Sequence, residues 1–285
     1  MTSATRLVES TGGARLAVHD LGGSGHPLLL THATGFHGRV WAPLARHLEG
    51  HGFRCWAPDL RGHGDSTAPD DGQFHWDGFA DDVLAVVDAL GMRRPFGVGH
   101  SKGGAALLLA EERRPGTFRA LYLFEPVVFP PDVVEAADHA GSNPLAEGAL
   151  RRRSEFESFD AAYDNFATKP PFSALDPEVL RAYVDYGFAP TAAGTVILKC
   201  RPEHEAQIYR MGATHGAFAR LDRVTCPVVV ARGGVTGFGP AAFVERIVDA
   251  LPHGRIEEHP ELGHFGPLER PEEIATAIRR AFAAA

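Results

Sequence analysis

Apolar residues occur along most of the chain in two patterns, as short continuous runs and as positions with helical spacing. The continuous apolar run at 27–32 is typical of a parallel strand buried on both faces. Residues 77–90 place apolar side chains at helical spacing and end at Gly91, a common residue beyond a helix terminus. Further strand-like runs occupy 120–126 and 226–233, with helical segments between them. This alternation of strand-like and helical segments predicts an α/β fold with a doubly wound, mostly parallel sheet.

The alternation stops between residues 127 and 215, where helical pieces, proline breaks and many aromatics replace it. An irregular loop of this length is implausible in a compact domain, so we predict a helical insertion that forms a lid over the sheet edge. The chain then divides into a core at 1–126 and 216–285 and a lid at 127–215. The aromatic residues of the predicted lid, which we expect to pack mainly with each other, are Phe156, Phe159, Tyr163, Phe166, Phe172, Tyr183, Tyr186 and Phe188.

Net charge and the numbers of cysteines and histidines limit which partners and cofactors we expect. The 285 residues carry a net charge of −8, which argues against nucleic acid or an anionic membrane as the main partner. The chain starts without an apolar signal region, and its three cysteines lack metal-binding or redox spacing, so we expect a cytoplasmic protein. Fifteen histidines occur without a zinc-type pattern. We therefore predict a small-molecule substrate, no metal and no cofactor, and a monomer or homodimer.

The main chemical motif is Gly99-His100-Ser101-Lys102-Gly103, which lies between a predicted strand and a predicted helix. In this context the G-x-S-x-G pattern is typical of a nucleophilic serine on a strained turn, with small residues on both sides. The alternative is a glycine-rich turn that carries a solvent-facing serine. A dinucleotide fingerprint is excluded because Lys102 stands where the third glycine belongs, and no P-loop sequence follows.

Four stretches together resemble the serine α/β-hydrolases, in the order of that family. They are 32–36, 58–64, 99–103 and 263–271, each placed after a predicted strand. The resemblance spans nearly the whole chain, and it implies the α/β-hydrolase fold with an inserted lid.

The resemblance also implies site residues. His264, in a glycine-flanked loop, would be the catalytic base, with a surface-loop histidine as the alternative. The backbone N–H groups of Thr34 and Lys102 would form the oxyanion hole, although Ala33 replaces the glycine that the family usually has there. We expect the Lys102 side chain to reach an acid or solvent. The alternative is that its charge acts on Ser101 or on the oxyanion.

The family usually places its catalytic acid in the loop at 233–240, but here that loop contains no Asp or Glu. Glu125 ends the strand that follows the nucleophile strand, and it leaves a charge at the end of an apolar run. We therefore predict Ser101, His264 and Glu125 as the catalytic triad. This placement of the acid resembles certain haloalkane dehalogenases and zearalenone-type lactone hydrolases.

The expected reaction is hydrolysis of a small to medium apolar or aromatic carboxylic ester or lactone through an acyl-enzyme. Phe36 and Phe129 are the expected pocket residues. Three alternatives remain at this stage. The triad could cleave thioesters, amides or carbon–carbon bonds, or serve a biosynthetic lyase step. The protein could be a small-molecule receptor with little turnover, or a scaffold without catalysis.

Overall fold

The chain is described by a computed structural model that covers residues 5–140, 143–212, 214–234 and 239–283. Within these residues an eight-stranded sheet has the order β1-β2-β4-β3-β5-β6-β10-β11, and a small sheet has the order β7-β9-β8. The strands are β1 (Thr5–Glu9), β2 (Arg15–Gly23), β3 (His26–Thr31), β4 (Phe53–Pro58), β5 (Phe96–His100), β6 (Leu121–Phe124), β7 (Glu155–Phe156), β8 (Phe188–Pro190), β9 (Val196–Leu198), β10 (Val228–Arg232) and β11 (Gly254–Glu258).

The large sheet is mostly parallel, as the apolar runs predict. β1 and β2 pair antiparallel, β2 also pairs antiparallel with β4, and all the other neighbours are parallel. Alternate residues of one strand enter different cores: Leu28 and Leu30 join one buried cluster, whereas Leu29 joins the other. The inner strands are therefore covered on both faces, which is why β3, β5, β6 and β10 carry few polar residues.

Helices flank this sheet and connect its strands along the chain. They are α1 (Ala42–Leu48), α2 (Trp76–Ala89), α3 (Lys102–Arg113), α4 (Pro131–Ala140), α5 (Pro144–Arg151), α6 (Phe159–Ala167), α7 (Pro177–Gly187), α8 (Pro202–Met211), α9 (Val244–Ala250), α10 (Gly266–Glu269) and α11 (Pro271–Ala283). α2 packs against α3, and α1 packs against α11 on the opposite face. None of the described helices has the length and apolar character that crossing a bilayer requires.

The segment at 127–215, which we call the insertion, is not purely helical as predicted. It holds α4 to α8 and also the small three-stranded sheet. Strands of two or three residues are too short for an alternating pattern to reveal them, so the sequence could not predict this sheet. As expected, several insertion aromatics pack together, with the Phe166 ring against those of Phe172 and Tyr183.

The insertion is closed at its neck. The Val127 N–H donates to the Ser101 carbonyl at 3.1 Å, so the first residue of the insertion is bonded to the nucleophile turn. The His215 ring accepts from the Ala217 N–H at 3.0 Å through Nδ1 and donates from Nε2 to the Val127 carbonyl at 2.8 Å. Burial lowers the pKa of His215 to about 4, so this ring stays neutral near pH 7.

The three cysteines are free thiols buried in the fold. Burial raises the pKa of Cys55, Cys200 and Cys226 to about 12, which makes each of them an unreactive apolar side chain at neutral pH.

Candidate active site

Ser101 lies on a sharp turn between β5 and α3, in the backbone conformation that the motif predicts. Its φ is 54° and its ψ is −116°, a region that non-glycine residues rarely occupy. Two glycines permit the turn. A Cβ on Gly99 would lie 2.6 Å from the Gly104 Cα, and a Cβ on Gly103 would lie 2.4 Å from the Thr31 carbonyl oxygen. The close approach of strand and helix therefore depends on the absence of side chains here.

We expect Gly99→Ala to lower the free energy of unfolding by about 1 to 3 kcal/mol, because the added methyl group meets backbone atoms that cannot rotate away. Urea denaturation measures this change. Gly148→Ala is the matched control: the site is exposed in α5 with open space around it, so the same substitution is expected to stabilise by about 0.5 to 1 kcal/mol. Equal effects of the two substitutions would contradict the steric argument.

The structure brings the predicted acid and base together. Glu125 Oε2 lies 2.6 Å from His264 Nδ1, and Oε1 accepts the Gly233 N–H at 2.9 Å. The carboxylate is 3% exposed, and Glu125 has a φ of 44°, so the turn after β6 resembles the turn after β5. With Nδ1–H donating to the carboxylate, His264 presents the lone pair of Nε2.

The loop that carries His264 is fixed by two further contacts. The His100 ring donates from Nε2 to the His264 carbonyl at 2.8 Å, and Glu269 Oε2 accepts the Gly263 N–H at 2.9 Å. The rings of His100 and His264 have centroids 5.0 Å apart. Sequence reasoning gave His100 no role, although its place directly before Ser101 in the motif was a usable signal.

No hydrogen bond joins Ser101 Oγ to the His264 ring among the contacts of the described residues. Ser101 and Glu125 nevertheless lie at the same edge of the sheet, because they directly follow the parallel neighbours β5 and β6, and the contact with Glu125 holds the His264 ring at that edge. Catalytic hydrogen bonds of this kind are often long until a substrate is bound.

The predicted oxyanion donors come from two loops that are held against each other. The Thr31 hydroxyl donates to the Gly103 carbonyl at 3.0 Å and so joins β3 to the start of α3. The His32 ring donates to the Ala33 carbonyl at 2.8 Å and accepts the Leu60 N–H at 2.9 Å, which braces the loop after β3.

Burial holds the pKa of His32 well below its usual range, so this brace is neutral. Within the described part of the chain, neither the Thr34 nor the Lys102 backbone N–H has an acceptor.

The two predicted pocket residues have different surroundings. Phe36 is buried among aromatic rings of the insertion and of the His264 loop, and its neighbours include Phe172, Tyr183 and Phe265. Phe129 is partly buried and packs edge-on against Phe243, with ring centroids 5.4 Å apart. The structure therefore does not bring Phe36 and Phe129 into contact with each other.

The Lys102 side chain reaches neither an acid nor solvent, contrary to the expectation from sequence. It is 1% exposed, and its ammonium donates to His63 Nε2 at 3.2 Å and lies 4.6 Å from the centroid of the Phe79 ring. Burial is the main reason that the pKa of Lys102 is lowered to about 7. The prediction was wrong because a lysine in a glycine-rich motif gives no sign that its stem will be covered.

We expect Lys102→Met to raise the free energy of unfolding by about 1 to 3 kcal/mol at pH 6, because it removes a buried charge that has no carboxylate partner. The gain is expected to shrink as the pH rises from about 7 towards 10.5. Over that window the folded lysine loses its proton while the unfolded lysine keeps it, which stabilises the wild type. Urea denaturation at pH 6 and pH 9 measures the difference, with the exposed Lys169→Met as control. A gain that grows with pH would contradict the assignment.

Comparisons with known proteins agree with this architecture. The family model described as "Alpha/beta hydrolase family" matches residues 28–277. A non-heme chloroperoxidase from Streptomyces lividans is 28% identical over 269 residues, which cover 84% of this chain and 88% of the relative. The lipase LipV from Mycobacterium tuberculosis is 29% identical over 276 residues, 93% of this chain and 96% of the lipase.

A similar solved structure is that of an E-2-(acetamidomethylene)succinate hydrolase. It superposes with a TM-score of 0.80 and 25% sequence identity, and the match covers 99% of each chain. The names of these proteins describe different reactions. The comparisons therefore establish the fold but do not identify the substrate.

Proposed function

This chain belongs to the alpha/beta hydrolase family, and from that premise we propose that it is a serine hydrolase acting on carboxylic esters or lactones. The observation that carries the proposal is the 2.6 Å contact between Glu125 Oε2 and His264 Nδ1, at the sheet edge where Ser101 stands on its strained turn. A lipase among the relatives supports hydrolysis of ester bonds.

The proposed reaction has two steps. His264 Nε2 takes the Ser101 proton while Oγ attacks the substrate carbonyl, and the Glu125 carboxylate stabilises the imidazolium that forms. The Thr34 and Lys102 N–H groups hold the oxyanion, and the imidazolium then gives its proton to the leaving alcohol. Water, activated by the same ring, releases the acid from the acyl-enzyme and regenerates Ser101.

We further propose that the insertion is the lid of the site and that the substrate has a small to medium apolar or aromatic acyl group. Phe36 supports this, because its ring lies between the oxyanion loop, the insertion and Phe265 beside the proposed base. Glu205 in α8 also lies against the oxyanion loop, since a Cβ on Gly35 would be 2.6 Å from its Oε1. These two contacts support a lid over the place where the substrate carbonyl would bind.

The similarity to an E-2-(acetamidomethylene)succinate hydrolase favours amide hydrolysis as a second candidate function, since the substrate in that protein's name carries an acetamido group. The same triad can attack an amide carbonyl, with the imidazolium donating its proton to the leaving nitrogen.

Turnover of matched 4-nitrophenyl esters and 4-nitroanilides of acetate, butyrate and benzoate tests both candidates. We expect a burst of nitrophenol from the esters and, in mass spectra of quenched reactions, an acyl group on the peptide that contains Ser101. Faster turnover of the anilides would favour the amide candidate. An acyl group on a peptide without Ser101 would overturn the proposal.

A further inference from the structure

The Lys102 ammonium is a buried cation whose immediate partners carry no negative charge. No carboxylate oxygen lies within 4.0 Å of its Nζ in the described part of the chain, and its hydrogen-bond acceptor is the His63 ring. His63 donates from Nδ1 to the Arg61 carbonyl at 2.9 Å, so Nε2 offers only a neutral lone pair. The face of Phe79 adds a cation–π contact but no countercharge.

The two carboxylates that act on the charge of this ammonium are already paired with arginines. Asp82 on α2 accepts from Arg61 at 2.6 Å, and Glu205 on α8 accepts from Arg152 at 2.5 Å. These two pairs are neutral as units, so the cluster keeps one uncompensated positive charge when Lys102 is protonated. Lys102 is also the first residue of α3, where the helix dipole adds a further positive potential.

The place of this charge connects it to the substrate. Lys102 directly follows Ser101, and its own N–H is a proposed oxyanion donor. Cys200 and Glu205 of the insertion lie close enough to act on the lysine's charge, and Glu205 lies against Gly35 of the oxyanion loop. The ammonium is therefore at the boundary between the insertion and the core, which is where the proposed substrate binds.

We propose that the Lys102 ammonium binds a carboxylate of the substrate, so that the preferred substrate is an ester that also carries a free acid; this rests on the hydrolase function proposed above. A substrate carboxylate would supply the countercharge that the folded chain withholds, and a desolvated, charge-assisted hydrogen bond would form. The neutral His63 ring would remain as the second acceptor and hold the lysine in place.

Two pairs of esters test the proposal and locate the acid. Mono-4-nitrophenyl adipate against 4-nitrophenyl hexanoate tests a carboxylate on the acyl side. Likewise, 4-acetoxybenzoate against 4-acetoxybenzamide tests one on the alcohol side. We expect the wild type to prefer the acid of one pair by about tenfold or more in kcat/KM at pH 6.5.

In Lys102→Gln the side-chain amide can still donate to His63 Nε2 but carries no charge, so the ratio of kcat/KM within that pair is expected to fall to about one. Damage to the oxyanion hole would lower kcat/KM for both esters of a pair by the same factor and leave their ratio unchanged. Lys102→Met is the second neutral variant if the glutamine folds poorly, and Lys169→Gln removes an exposed lysine of the insertion as a control.

The preference is also expected to weaken as the pH rises above about 7, because the ammonium loses its proton there. The other groups that face it are His32 and His63, which burial keeps neutral, Cys200, whose thiol stays protonated, and the paired Asp82 and Glu205.

A wild type with no preference in either pair, or a preference that survives in Lys102→Gln, would overturn the carboxylate proposal. Fluorophosphonate labelling of Ser101 is the separate readout for the hydrolase function. Labelling without any preference would refute only the carboxylate site. If Ser101 is not labelled, the effect of adipate on the melting temperature of the wild type and of Lys102→Gln still tests carboxylate binding.

Discussion

Ser101→Ala is expected to abolish labelling by a fluorophosphonate probe and to lower kcat for ester hydrolysis by about 10⁴- to 10⁶-fold. The loss is large because the substitution removes the atom that forms the covalent bond, whereas removing one oxyanion donor costs only about 10²- to 10³-fold. In-gel fluorescence measures the labelling, and stopped-flow assays with 4-nitrophenyl esters measure the rate.

Ser173→Ala is the matched control, since Ser173 is an exposed serine of the insertion. It is expected to keep both labelling and turnover. Unchanged melting temperatures would show that the loss in Ser101→Ala is chemical. Labelling that persists without Ser101 would remove the proposed nucleophile.

Glu125→Gln is expected to lower kcat by about 10³- to 10⁴-fold, because the amide cannot satisfy both of the groups that the carboxylate satisfies. If the amide oxygen accepts the Gly233 N–H, the NH₂ group faces His264 Nδ1. The ring must then carry its proton on Nε2, where it can no longer accept one from Ser101. If the amide is turned round, its NH₂ group opposes the Gly233 N–H.

The rate of fluorophosphonate labelling is expected to fall in parallel, since it depends on the same base. Glu258→Gln, on β11 and paired with Arg232, removes an exposed carboxylate and is expected to leave kcat unchanged. A normal rate in Glu125→Gln would show that another acid serves His264, or that the ring acts without one.

The sequence predicted the fold because its signals were long or repeated. The apolar run of β3 and the helical spacing of α2 each extend over enough residues to be read without a structure. Four motifs, in the order typical of the serine α/β-hydrolases, then indicated where the strands end. The comparisons confirm this fold, and the family model covers the stretch that contains all four motifs.

Site residues could be predicted from sequence where a residue type is unusual for its position. Glu125 is a carboxylate at the end of an apolar strand, so it needed a partner, and the structure places it on His264. The catalytic roles of these residues stay predictions. The loop at 233–240, where the family usually has its acid, lies partly outside the described residues.

The surroundings of Lys102 were not predictable, because they depend on contacts between segments far apart in the sequence. The ammonium of Lys102 contacts His63 from the loop after β4 and Phe79 from α2. Such packing leaves no periodic trace. The partner of His100 is likewise distant, a backbone carbonyl 164 residues away, although the place of His100 directly before Ser101 did mark it in the sequence.

The closed neck of the insertion brings together the two ends of residues 128–214, which we call the cassette. The chain leaves the core and returns to it through Val127 and His215, whose hydrogen bond is 2.8 Å long, so a foreign segment with equally close ends could be joined there without stretching the sheet. The proposed triad lies wholly outside that cassette, while Tyr183 and Glu205 lie inside it. If the insertion is the proposed lid, replacing this one continuous segment would change the substrate range and leave the proposed catalytic residues in place.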